Sequence, residues 1–148
     1  MNVSVINGQS KKADGLTAYL QMTYPFINAY SLETMSVHDL NQNRATHLVF
    51  IIPAKKTPYL HLKRLFRGLK SDHQPSITII TTEGTDAHHA IIQMLVRDHV
   101  RSCTHIQLPE HLVHLRTDGQ VIQQRKLLKR LLPLQQVLYA DLDNKTVS

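Results

Sequence analysis

The sequence predicts an α/β fold, a doubly wound five-stranded parallel sheet with helices on both faces. Two observations carry that expectation. Short apolar runs alternate along the chain with segments of helical periodicity. The runs are continuously apolar rather than alternating, as parallel strands covered on both sides must be.

The first strand is Val3 to Ile6, and a helix is expected from about Leu16 to Met22. A second strand falls near Phe26 to Ser31, where β-formers mix with turn residues. His47 to Ile52 (HLVFII) is the clearest strand, stopping at Pro53, which cannot donate to a sheet ladder. Pro58 suits a helix start. Leu62, Leu65, Phe66 and Leu69 then repeat at helical spacing, with Lys63, Arg64, Arg67 and Lys70 between them. Ser76 to Thr82 is a fourth strand, followed by a loop at Glu83 and Gly84 and a helix from about Asp86 to Arg101. Ala87, Ala90, Ile91, Met94 and Leu95 are expected to face the sheet. Thr104 to Leu108 makes a fifth strand ended by Pro109, and Asp118 with Gly119 forms a turn. The last helix is expected to bury Leu128, Leu131 and Leu132. Pro133 should end or kink it, an interior proline costing about 3 kcal/mol, with Leu134, Val137 and Leu138 in a second piece. The segment 109–118 has no assignment, and the tail after about residue 143 is expected to fray. These elements suggest the flavodoxin-type strand order 2-1-3-4-5, in which ligands sit outside the carboxyl ends of the strands at the switch between the first and third.

A chain of 148 residues is most simply one domain, able to bury about 70% of its unfolded surface. The single cysteine, Cys103, cannot form an internal disulfide, which suits a reducing cytoplasm. Its thiol is expected to fill core space. Met1 leads directly into a strand pattern rather than a signal peptide, and no run approaches the roughly 20 apolar residues of a membrane span. A net charge of +6 raises the question of nucleic acid, but the basic residues fall on two predicted helices. Neither Lys63 to Lys70 nor Arg125, Lys126, Lys129 and Arg130 carries the aromatic interleaving that stacks bases. Solvated helix faces, able to assist an anionic cofactor's approach, are the expectation. The pairs His88 with His89 and His111 with His114 lack the further ligands of a metal site.

The segment Val3 to Leu20 runs strand, polar loop, helix, an order that aims free N–H groups and a helix dipole at one spot. Asn7, Gly8, Gln9, Ser10, Lys11, Lys12 and Gly15 supply flexible backbone, a hydroxyl and two ammonium groups. Thr17 adds a hydroxyl in the expected first helical turn. A phosphate site and an ordinary solvated turn both fit this pattern.

Three motifs give the chain a resemblance to the NADPH-dependent FMN reductase family, flavodoxin-like flavin and quinone reductases, over nearly its whole length. Gly8-Gln9-Ser10-Lys11-Lys12-Ala13-Asp14-Gly15-Leu16-Thr17 resembles the family's G-S-P-R-K-x-G-N-T loop, with one extra residue and lysine for arginine. Pro53-Ala54-Lys55-Lys56-Thr57-Pro58-Tyr59-Leu60-His61-Leu62-Lys63 is similar to P-x-Y-x-x-S-x-P-x-x-L-K, and Lys55 and Lys56 stand near the place of its flavin-packing aromatic. Asp118-Gly119-Gln120-Val121-Ile122 is similar to the family's D-G-x-[IL]-x segment. The resemblance implies FMN bound by Gly8, Ser10, Lys11, Lys12, Gly15 and Thr17 at its phosphate. Pro53, Ala54, Lys55, Lys56 and Thr57, with Thr82, Glu83 and Gly84, would then lie along its ring. It implies NADPH or NADH as electron donor, a small-molecule electron acceptor such as a quinone or free flavin, and a homodimer. The missing aromatic suits a second class, a degenerate flavodoxin-like domain without flavin acting as a binding or structural module. A third reading is an anion or nucleotide binder using the Lys11 and Lys12 loop alone.

Overall fold

The computed structural model describes residues 2–43, 45–69, 75–100 and 103–138. The order is β1 (Val3–Asn7), α1 (Lys11–Thr23), β2 (Ile27–Ser31), α2 (Val37–Gln42), β3 (His47–Pro53), α3 (Tyr59–Arg67), β4 (Ser76–Thr82), α4 (Asp86–His99), β5 (Cys103–Gln107) and α5 (Arg125–Arg130). The strands form one sheet in the order β2-β1-β3-β4-β5, every neighbouring pair parallel. This is the flavodoxin-like arrangement expected from the alternation of strands and helices. Among the described residues no helix is long and apolar enough to cross a membrane.

Strand residues point alternately to the two faces, so each face has its own core. Val3, Val5, Val49, Ile51, Ile80 and Ile106 pack beneath Leu16 and Leu20 of α1 and Leu127 of α5. Ile6, Leu48, Phe50, Ile52, Ile77 and Ile79 pack beneath α2, α3 and α4. On that second face the rings of Phe50 and Phe66 meet at 5.1 Å between centroids, a tilted contact. The central strand β3 is buried along its whole length, which accounts for its uninterrupted apolar sequence.

Four expectations need correction. Helix α1 begins at Lys11, about five residues before the expected start, because Ser10 caps it by accepting from the Ala13 N–H at 3.0 Å. A short helix, α2, occupies 37–42, where none was assigned. Its signal is the capping box of Ser36 and Asp39, each side chain serving the other's backbone. On α4, His89, Ile92 and Val96 face the sheet, while Ala87, Ala90, Ile91 and Met94 are exposed. At the carboxyl end, Leu127, Leu131, Leu134 and Leu138 are buried, whereas Leu128 and Leu132 are exposed. The break near Pro133 does occur: α5 ends at Arg130, and helix resumes over 132–138. The expected fraying after residue 143, and Lys70 and Arg101 at helix ends, lie outside the described residues.

The unassigned stretch after β5 holds a 3-10 turn, Glu110–Leu112, and an antiparallel bridge between Leu115 and Val121. Gly119 closes that bridge at φ 84°, a conformation that favours glycine. The bridge presses on α1 at Gly15, where a Cβ would lie 2.8 Å from the Leu115 side chain and 3.0 Å from that of Val121.

Candidate functional site

Three loops leave the carboxyl ends of β1, β3 and β4 beside the switch between β1 and β3. The first is only Gly8, Gln9 and Ser10, and it is pinned from both sides. The Gly8 N–H donates to Ile51 O at 2.8 Å, and a Cβ on Gly8 would stand 2.5 Å from Pro53 Cδ. The Gln9 N–H donates to Asn7 Oδ1 at 2.9 Å, while Asn7 Nδ2 donates to Asp14 Oδ1 at 2.7 Å. Ser10 Oγ serves as the α1 cap. Lys12 Nζ donates to Glu110 O at 3.1 Å, which turns it toward the 3-10 turn.

Two residues assigned to the phosphate by resemblance lie elsewhere. Gly15 is buried in α1 against the Leu115 and Val121 bridge, a packing role. Thr17 is in the second turn of α1, 5% exposed, and its hydroxyl donates to Ala13 O at 2.8 Å. Both follow from the early start of the helix, which winds the glycine-bearing stretch into its first two turns. What remains at the start of α1 is the exposed Lys11 side chain and the amides of Lys11 and Lys12, which an α-helix leaves without internal acceptors. The Asp14 carboxylate, on the same first turn, was absent from the sequence reading of the site. An acid within the first turn of a helix was its signal.

The second and third loops are joined to each other. The Ala54 N–H donates to Thr82 O and the Lys55 N–H to Glu83 O, both at 2.7 Å, extending the β3–β4 ladder past the strands. Lys56 N–H and the Thr57 hydroxyl both donate to Pro53 O, and the Tyr59 hydroxyl donates to Ala54 O at 3.0 Å. Lys55 and Lys56 project from this platform exposed, whereas Ala54 and Thr57 are buried. Gly84 packs between Ala54 and His88, where a Cβ would lie 3.1 Å from each neighbouring Cβ. Gln9 (φ 61°) and Glu83 (φ 52°) are the non-glycine residues of positive φ among the described residues, and both lie at this end of the sheet. Such strain concentrates at functional positions.

Beneath the third loop lies a buried polar chain. The Thr81 hydroxyl meets His89 Nδ1 at 2.6 Å and His105 Nε2 at 2.9 Å. His89 is 1% exposed, and its Nε2 has no hydrogen-bond partner, as is also true of the buried Thr82 hydroxyl. Burial lowers the pKa of both imidazoles, against the opposing pull of the Gly84 backbone and Asp86 at His89, and with help from His89 and Arg97 at His105. Among the described residues no three His, Cys, Asp or Glu side chains converge as a metal site. Cys103 is half-buried on β5, and burial pushes its thiol up to about 11, so little thiolate forms at neutral pH.

Fold and site together define a flavodoxin-like α/β domain whose loops converge at the usual ligand-binding end of the sheet. No family model, curated protein or solved structure matches the chain. The groups present fit a small anion at Lys11 and the start of α1. They do not fit the ring of a flavin. The loops at 54–57 and 83–85 contain no aromatic side chain, and the amides of Ala54, Lys55 and Lys56 are already engaged.

Proposed function

We propose that the chain is a flavodoxin-like binding module that takes a small anion at the start of α1 and carries no flavin. One observation supports this reading above others: the three sheet-end loops satisfy one another. Gly8, Gln9, Ala54, Lys55 and Lys56 all direct their N–H groups into the protein, and Ser10 and Thr57 direct their hydroxyls to local backbone. An FMN site needs those donors aimed outward, at a phosphate and at the edge of a ring. A cytoplasmic setting accords with the unpaired cysteine.

Colour and thermal stability test the proposal. The purified chain should be colourless; inorganic phosphate should raise its melting temperature, riboflavin should not, and FMN should bind no more tightly than phosphate. A yellow protein that releases FMN on denaturation would overturn the reading.

A second reading is favoured by the exposed Lys11 ammonium at the switch point, which has no hydrogen-bond or ion-pair partner among the described residues. That reading is an FMN-binding, NAD(P)H-dependent oxidoreductase that passes electrons to a small acceptor, as a homodimer. It requires the first loop to open on cofactor binding, and the flavin assay above separates the two.

A further inference from the structure

A groove separates the 3-10 turn Glu110–Leu112 from α5, with a volume of about 410 Å³ and a lining of His111, Leu112, Lys126, Lys129 and Arg130. This size falls within the range of small-molecule sites. Lys126, Lys129 and Arg130 stand three and four residues apart, so they share one helix face and overlook the same space. His111 faces them from the turn, and buried Leu112 forms the floor. The lining includes no carboxylate among the described residues. Among the described residues none of the three cations has an ion-pair partner, the one ion pair being Arg116 with Asp118. Three cations brought together without a counter-charge repel one another, and a ligand of several negative charges removes that cost.

We infer that this groove binds a molecule carrying linked phosphates, a diphosphate or triphosphate group. Arg130 offers a planar fork matched to phosphate oxygens, and the two lysines offer mobile point charges beside it. From residue 126 to residue 130 the helix rises about 6 Å, which spreads the cations over more than one phosphate. Among the described residues the lining has no aromatic side chain, so the recognition argued here rests on the phosphates. Lys12 ties the turn to the start of α1 through Glu110 O, so the groove wall is anchored. The inference is independent of whether the sheet-end loops take a flavin.

Calorimetric titration of the full chain at about 0.15 M salt, which screens open surface charges beyond about 8 Å, tests it. Inorganic tripolyphosphate should bind at least about tenfold more tightly than orthophosphate, with pyrophosphate between them. Joint substitution of Lys126, Lys129 and Arg130 by alanine should weaken tripolyphosphate about tenfold or more. The matching triple substitution of Lys63, Arg64 and Arg67, exposed on α3, should leave it within about twofold. All six side chains are exposed, so both variants should keep the parent's circular dichroism and serve as folded comparators. ADP binding as tightly as pyrophosphate would support a nucleotide source, and pyrophosphate binding more tightly would support a free oligophosphate. Equal affinity for one and three phosphates, or equal losses in the two variants, would overturn the inference. So would binding to anionic lipid vesicles without binding of tripolyphosphate, which would assign the face to a membrane surface.

Discussion

The Thr81 hydroxyl stands between two imidazoles, and a hydroxyl has one proton to give. One of His89 and His105 therefore accepts from Thr81 while the other donates to it. If both rings gain a proton, two cations face the same oxygen within a buried site. Burial lowers both pKa values in the folded protein, so between those values and about 6.5 the unfolded chain holds more protons. Stability from these residues is thus complete above about pH 6.5 and is lost progressively as pH falls below that value through the lowered folded-state pKa values. Thermal melts from neutral to mildly acidic pH should show a falling midpoint, and His89→Leu should flatten that fall. An unchanged slope in the variant would dismiss the network as the source. The adjacent pair His88-His89 was visible in the sequence only as a poor metal motif. The pairing with Thr81 and His105 was not legible, because it depends on the phase of α4 and the register of β4 with β5.

Helix α4 shows why the phase went astray. Ala87, Ala90, Ile91, Met94 and Leu95 make a regular apolar stripe, and periodicity alone turns that stripe inward. The sheet instead receives His89, Ile92 and Val96, with Leu95 partly buried beside them, because the Thr81 hydroxyl, itself bonded to His105, offers the buried His89 imidazole a hydrogen bond that an apolar face could not. The two phases predict opposite mutational profiles. Ile92→Ala should cost about 2–5 kcal/mol in urea unfolding. Ile91→Ser and Met94→Ser should each lie within about 0.5 kcal/mol of the parent. Large losses at Ile91 and Met94 with little at Ile92 would restore the other phase. The start of α1 is ambiguous for a related reason: the Ser10 hydroxyl suits a ligand donor and equally a cap for a helix beginning with Lys11.

At the scale of the molecule, strand number and parallel pairing were legible because apolar runs such as His47 to Ile52 and Ser76 to Thr82 have few alternatives to a covered sheet, whereas the order β2-β1-β3-β4-β5 came partly by analogy with the flavodoxin type. The position of the candidate site follows from that order, since strand order fixes the switch point. Its chemistry was not. Whether Gly8, Ala54 and Lys55 offer their amides to a ligand or to one another depends on contacts between loops distant in sequence.

The extension of the β3–β4 ladder through Ala54 and Lys55 gives those loops the mechanical character of the sheet itself. Their amides should exchange with deuterium on the timescale of β3 amides, several decades slower than ordinary surface loops, and rapid exchange there would contradict the ladder. Among the described residues these two loops form one body with the sheet. A ligand arriving at Lys11 would then meet a rigid, open landing place, capture would be set by diffusion and charge, and residence time would depend on contact strength alone.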